Sequence, residues 1–564
     1  MFISIRFYVL TNIYRWGGIL RVAYLSFLKK KTAIRLKTGG KENVMKKKLL
    51  ALLLTVVMAT SLAACGGSGG SGESNDDRTL VMRLGQSLSS LDWENSTHTY
   101  DMYVWHQMYE GLYGMDEAGE GYYEELADGV TVSDDGLIYT VPLREGVTFQ
   151  NGEPLTANDV VFSYERAMKN SRFNYLTSPI ENVKAVDENT VEFTLNQPYS
   201  AIDHTFFSIK ITNEKEVTEQ GDDFGAIPHK AGTGPYYVTE YNVASGVKMD
   251  AYEDYWRGAP DVKHVEFKVI ADEAAAVIAY ENGDIDYLTE VNLSDWDAVS
   301  TKEGGQSAML KGNDITWLGI NYLSHTAGDA LMNEKVRQAI FYAIDKDAIN
   351  SAVFDGEGVV TNEYMPHDYV PTQPTEGFMT YEYDPDKAKA LLEEAGYGDG
   401  IDLGNILTYG GADSPKGKAA VVIQDNLAQV GITVGVDMRE YAAAEADMYG
   451  QNYDLVIFGD SNNYDFNNIR QQLHSESVGM YLVKFKDERS PFNYQRMEEL
   501  IDLGVSTTDL EERLEYYTEL WDIVMKTATI DPLVHKPVGI VWSGDLDIGE
   551  PVPNFYKIRT FSWK

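Results

Sequence analysis

Cysteine is nearly absent: Cys65 is the single one in 564 residues. That excludes intramolecular disulfides and cysteine-rich zinc sites together. Histidine is scarce as well. The nine histidines are scattered, with no His-x-x-x-His helix face and no histidine–carboxylate cluster at ligand spacing, so zinc hydrolysis loses its basis. Basic residues are outnumbered, with 47 Lys and Arg against 87 Asp and Glu. Residues 1–64 hold 12 basic residues and one acidic, which leaves 35 basic against 86 acidic in the remainder, a net charge of −51. Such a body repels phosphate backbones, which argues against nucleic acid as a partner. The apolar run at 49–58 is too short to span a bilayer. What remains is a globular composition, 44% hydrophobic and 24% charged, in a chain long enough for three or four units of roughly 150 residues.

From Met45 the chain reads MKKKLLALLLTVVMATSLAAC. Three lysines, an apolar stretch and small residues up to Cys65 have the order of a secretory signal peptide at 45–64. Leu62-Ala63-Ala64-Cys65 resembles the lipobox of bacterial lipoproteins, which implies a diacylglycerol on the Cys65 sulfur and cleavage before it. The alternative for a lone cysteine is a buried core thiol, but here a Gly/Ser tether, 65–78, follows directly. Two or more acyl chains anchor stably, and a flexible tether lets the folded body stand off the membrane. Residues 1–44, aromatic and basic, read as a misassigned upstream leader or, alternatively, as an amphipathic membrane-surface segment.

Beyond Thr79, strand-like runs at 80–84, 191–195 and 265–270 alternate with helical patterns, which indicates mixed α/β. A helix is predicted at 157–168, opened by Thr156-x-x-Asp159 as a capping box. Another is predicted at 334–349, with Val336, Ile340 and Ile344 on one face. A third, 385–395, has Pro385 in its first turn and Gly396 to end it. A fourth spans 510–526, with Leu514, Tyr517, Leu520, Trp521 and Val524 as its core stripe.

Catalytic motifs are missing. Gly66-Gly67-Ser68-Gly69-Gly70 has nucleophile-elbow spacing but lies in the tether, where no strand and helix hold the serine. The run from Gly411 to Lys418 is one residue too long for a phosphate loop, and Ala419 replaces the magnesium-binding Ser or Thr. Asp284 and Asp286 lack the glycine and terminal Glu of a calcium loop and read as a solvated strand-end turn. Nucleophile, base and orienter cannot be assembled from these motifs, so an enzyme is disfavoured.

A series of phrases occurs in a fixed order: Ser90-Leu91-Asp92, Met108-Tyr109-Glu110-Gly111-Leu112, Leu126-Ala127, Leu143-Arg144-Glu145-Gly146-Val147, Asn151-Gly152-Glu153-Pro154-Leu155, Gly232-Thr233-Gly234-Pro235-Tyr236, Asp254-Tyr255-Trp256-Arg257-Gly258, Asn282-Gly283-Asp284, Val336-Arg337-Gln338-Ala339 and Ala395-Gly396-Tyr397. Together they resemble the family-5 extracellular solute-binding proteins, the peptide, dipeptide and nickel receptors of ABC importers. The resemblance implies a two-lobed periplasmic-binding-protein-like α/β fold (class II, cluster C type) with an extra inserted domain in the first lobe. Lobe 1 would comprise 79–115, 228–319 and 529–564, with the insertion at 116–227, and lobe 2 would span 320–528. It also implies a binding protein rather than an enzyme, without cofactor or metal, monomeric, lipid-anchored on the outer face of the bacterial cytoplasmic membrane, and delivering ligand to an ABC permease.

In the peptide receptors of that family an aspartate in the second lobe pairs with the ligand's α-ammonium, and Leu455-Val456-Ile457-Phe458-Gly459-Asp460 places Asp460 at that position. A desolvated ammonium needs such a partner. Asp460 could instead terminate a strand 455–458 and cap the following turn. The family's Trp stands as Ile457 here, and no Asp-Pro follows, so the side-chain pockets and ligand length stay open. Thr97, His98 and Thr99 fall where oligopeptide receptors hold peptide main chain, and Trp317 falls where cleft aromatics lie, with a core role equally open. The alternatives are a non-peptide ligand on the same fold (nickel chelate, haem or oligosaccharide) or a peptide-sensing receptor. His98 alone is a poor metal platform.

Overall fold

The computed structural model describes residues 78–95, 99–115, 121–366, 370–461, 465–474, 488–552 and 558–564. Cys65, Thr97 and His98 lie outside them. Ten strands of one large mixed sheet carry the architecture: β1 (Thr79–Leu84), β2 (Tyr236–Asn242), β3 (Gly246–Ala251), β4 (His264–Val269), β5 (Tyr287–Val291), β6 (Gly305–Ile320), β7 (Ile401–Tyr409), β8 (Ile432–Arg439), β9 (Leu455–Ser461) and β10 (Ile530–Ser543). Their order is β8-β7-β9-β6-β10-β5-β1-β4-β3-β2, and the short strand Val359–Val360 pairs β10 off this path. The expected runs at 80–84 and 265–270 are thus β1 and β4, side by side and parallel.

Two strands serve both halves. β6 and β10 run antiparallel along their whole length, Gly305 opposite Ser543 at one end and Gly319 opposite Ile530 at the other, with a register shift between Lys311 and Ile315. On one side of that shift Val538, Ile540 and Trp542 join a core built from Leu80, Phe149, Phe193 and Tyr236. On the other side Ile315, Trp317, Leu318 and Val534 join a core built from Ile340, Ile423, Leu455 and Trp521. The chain therefore has two lobes joined through the middle of two continuous strands. At the crossing the backbones nearly touch: a Cβ on Gly312 would lie 2.3 Å from the Lys536 carbonyl oxygen, so only glycine fits.

Between β1 and β2 the chain builds a separate four-stranded antiparallel sheet, including Thr190–Leu195, flanked by a helix. After α1 (Thr99–Met108), that helix is α2 (Ala157–Lys169), where the Asp159 carboxylate accepts from the Thr156 N–H (3.1 Å) and hydroxyl (2.6 Å), as the capping pattern predicts. The expected helix at 334–349 is instead two: α3 (Glu334–Tyr342) and α4 (Lys346–Phe354). The apolar period runs through the break, but the Asp345 carboxylate accepts from the Ala348 N–H and starts a new helix. α5 (Pro385–Glu394) ends before Gly396, which has φ +88°. α6 (Pro415–Gln429), α7 (Tyr441–Tyr449), α8 (Tyr494–Ser506) and α9 (Leu510–Thr527) complete the second half, with Tyr517, Leu520, Trp521 and Val524 of α9 fully buried. Among the described residues no helix is long and apolar enough to cross a membrane.

Candidate functional site: a carboxylate at a divergent strand edge

Strands β8, β7 and β9 are parallel, and their spatial order departs from chain order. The connections leaving β7 and β9 run to opposite sides, the switch-point topology at whose C-terminal strand ends α/β folds bind ligands. Asp460 stands there, near the end of β9. It is inside the strand, opposite Ile315 of β6, so the reading in which it terminates a strand at 458 does not hold.

Three donors from separate segments converge on one oxygen of Asp460. Trp317 Nε1 donates to Oδ2 over 3.0 Å and Gln472 Nε2 over 3.1 Å, and the Tyr364 hydroxyl makes the third bond. Among the described residues no hydrogen bond reaches Oδ1. Burial pushes the Asp460 carboxyl up, and the bonds from Tyr364 and Trp317 with the nearby Lys416 pull it back down. Its side chain remains half-buried, in reach of solvent. The result is an anion fixed through one oxygen with the other left for a donor.

Trp317 itself is fully buried and packs against Phe458 at 6.3 Å. It is a core residue that orients Asp460. Thr99 opens α1, apart from Asp460 in the other half of the fold. Tyr364, Gln472 and Lys416 lie 40 or more residues from Trp317 or belong to other elements, and no local pattern marks them; Lys416 falls in the run weighed only as a phosphate loop. At the same strand ends the Tyr409 ring meets Tyr441 at 5.0 Å and Phe458 at 4.7 Å, an aromatic cluster in which Tyr441 is 47% exposed.

The halves also meet away from the crossing strands. Ser200, after the four-stranded sheet, donates from its N–H to the Val505 carbonyl (2.7 Å) and from its hydroxyl to the Gly504 carbonyl (2.9 Å) at the end of α8. Beside this contact Arg513 grips Asp465 through both carboxylate oxygens, at 2.9 and 2.8 Å. Burial raises the Asp203 carboxyl to about 6 there, offset by Arg513.

Several of the ordered phrases build the first core. Glu110 accepts from the Tyr255 hydroxyl (2.6 Å) and Trp256 Nε1 (2.9 Å), which ties two of them together. A Cβ on Gly232 would lie 1.9 Å from the Met108 carbonyl oxygen. In the second half, Arg337 is buried and donates to the carbonyls of Thr527, Leu331 and Met332. These residues hold the scaffold together. Among the described residues no group of three His, Cys, Asp or Glu side chains could hold a metal ion.

The profile of the bacterial extracellular solute-binding proteins, family 5 (middle region), matches residues 121–476. A glutathione-binding protein, GsiB, of Salmonella paratyphi A is 27% identical over 474 residues, covering 81% of this chain and 89% of that protein. Heme-binding protein A of Haemophilus influenzae is 27% identical over 462 residues, covering 76% of this chain and 82% of that protein. The crystal structure of the ABC transporter substrate-binding protein CtaP of Listeria monocytogenes superposes with a TM-score of 0.76 at 22% identity, over 86% of this chain and 99% of that one. With a two-lobed fold and more than half its length under one family profile, this chain belongs to the family-5 bacterial extracellular solute-binding proteins.

Proposed function

We propose that the protein captures peptides in the cleft between its lobes and delivers them to an ABC permease. Asp460 carries the reading: a carboxylate oriented through Oδ2 leaves Oδ1 to accept from a peptide's α-ammonium. The GsiB relative is named for glutathione, itself a peptide. The same reading makes the protein a monomer lipidated on Cys65, tethered by 65–78 and standing outside the cytoplasmic membrane. Lobe 1 is then 79–115, 228–319 and 529–564, with 116–227 inserted, and lobe 2 is 320–528, while residues 315–319 of β6 and 530–534 of β10 pack into the second core. Closure of the lobes on ligand supplies the signal, because a ligand shifts the equilibrium by its differential affinity for the closed form.

Native mass spectrometry of the purified protein, followed by calorimetric titration with short peptides, tests this. Micromolar binding corresponds to about −8 kcal/mol. Asp460→Asn should weaken it by about 2 to 5 kcal/mol, as truncating one partner of a buried charge pair does. Peptide binding that survives this change undiminished, or a co-purified ligand without an ammonium group, would overturn the reading.

A further inference from the structure

We propose that Lys416 makes this cleft selective for peptides whose first residue is acidic. The inference rests on Asp460 as the anchor of the ligand's ammonium and goes on to the charge beside it.

Lys416 lies in the first turn of α6, whose N-cap is Ser414. Its side chain is directed at the end of β9. Its Nζ stands 3.1 Å from where a Cβ on Gly459 would be, and 5.0 Å from the centre of the Tyr409 ring. A Cβ at 459 would lie 2.6 Å from the Ile315 carbonyl oxygen, so the backbone contact requires glycine, and the absent side chain also leaves room for Lys416. The side chain is half-buried, yet Lys416 makes no hydrogen bond or ion pair among the described residues. Asp314 and Asp460 attract it from a distance, Lys536 repels it, and burial pulls its pKa down. Its one close partner among the described residues is the Tyr409 ring, and an ammonium partly desolvated against an aromatic face, with no carboxylate in contact, is an arrangement that an incoming anion relieves. The N-terminal end of the 15-residue helix α6 adds positive potential at the same point.

Lys416 reaches over the end of β9 to the Tyr409 ring, which packs on Phe458, two residues before Asp460 and on the same face of the strand. The charges of Lys416 and Asp460 feel each other there. A peptide ammonium seated on Asp460 has a second cation beside it. An apolar first residue leaves that cation unpaired, and a basic one is repelled. A carboxylate one side chain away from the ammonium pairs it, and that spacing belongs to Asp or Glu at the first position.

Titration calorimetry with Asp-Ala-Ala, Ala-Ala-Ala and Lys-Ala-Ala tests the assignment on the wild type, Lys416→Gln, Lys416→Glu and Asp460→Asn, each checked for native circular dichroism. Wild type should prefer Asp-Ala-Ala over Ala-Ala-Ala by about 10-fold or more. Lys416→Gln should bring that ratio close to one, and Lys416→Glu should move the preference to Lys-Ala-Ala. A wild-type ratio near one, or a ratio that survives Lys416→Gln, overturns the inference. If Asp460→Asn still weakens all three peptides in that case, the ammonium anchor stands and only the role of Lys416 falls. Binding of none of the three overturns both.

Discussion

Trp317 and Asp460, 143 positions apart in the chain, are joined by one hydrogen bond of 3.0 Å from the indole Nε1 to Oδ2. The bond spans adjacent strands, β6 and β9, and the donor has no surface exposure. Trp317→Phe removes the donor and part of the ring, leaving a small cavity at a fully buried site. The fold should lose about 1 to 3 kcal/mol, while peptide affinity falls by less than in Asp460→Asn, because Tyr364 and Gln472 still hold Oδ2. Calorimetry on the two variants side by side checks the order; an equal loss would mean that Trp317 touches the ligand itself.

Ser200 links the two halves away from the crossing strands, since both its bonds end on carbonyls of α8. Ser200→Ala removes the hydroxyl bond and leaves the backbone bond. Thermal stability should change little. Ligand dissociation, measured by stopped-flow displacement, should speed up about 3- to 10-fold, the equivalent of one net hydrogen bond.

Lys346 and Asp531 form an ion pair of 2.7 Å with side chains 7% and 0% exposed. Lys346 also donates to the Thr361 carbonyl and Asn362 Oδ1, so the pair joins α4 to β10 and the loop before α5. Lys346→Met leaves a buried carboxylate unpaired and should destabilise by about 3 to 5 kcal/mol. Adding Asp531→Asn should recover part of that loss. Urea denaturation of both variants measures it, and a single variant as stable as wild type would refute the pairing.

His229 sets part of the acid limit. Its Nε2 lies 3.0 Å from the Tyr109 hydroxyl, which donates to the Leu91 carbonyl, so the ring donates from Nε2, and its buried Nδ1 has no partner among the described residues. Burial holds its pKa down to about 4. An unfolded histidine titrates near 6.5, so between about 6.5 and 4 the unfolded chain takes up the proton first, and stability falls as pH falls through that window. His229→Gln should flatten the slope of unfolding free energy against pH there by up to about 1.4 kcal/mol per pH unit. An unchanged slope would show that the native ring accepts the proton.

Local chemistry alone was enough for many features. The Thr156 and Asp159 cap, Pro385 and Gly396 around α5, and Tyr517, Leu520, Trp521 and Val524 of the α9 stripe depend on residues within one or two turns, and all of them are present; Leu514, expected in the same stripe, is only half-buried and lies outside the core. The ordered phrases and Asp460 were legible for the same reason, as short patterns of contiguous residues. The split at Asp345 was not, because the apolar period continues across it and a single side-chain bond decides it. Nor was the setting of Asp460: Trp317, Tyr364, Gln472 and Lys416 come from β6, a loop, the segment after β9 and α6, and only the sheet order β7-β9-β6 brings them to one edge. Hydrogen bonds and burial between segments so far apart depend on how strands are ordered in space, and that order is settled by packing of the whole core rather than by any stretch of sequence.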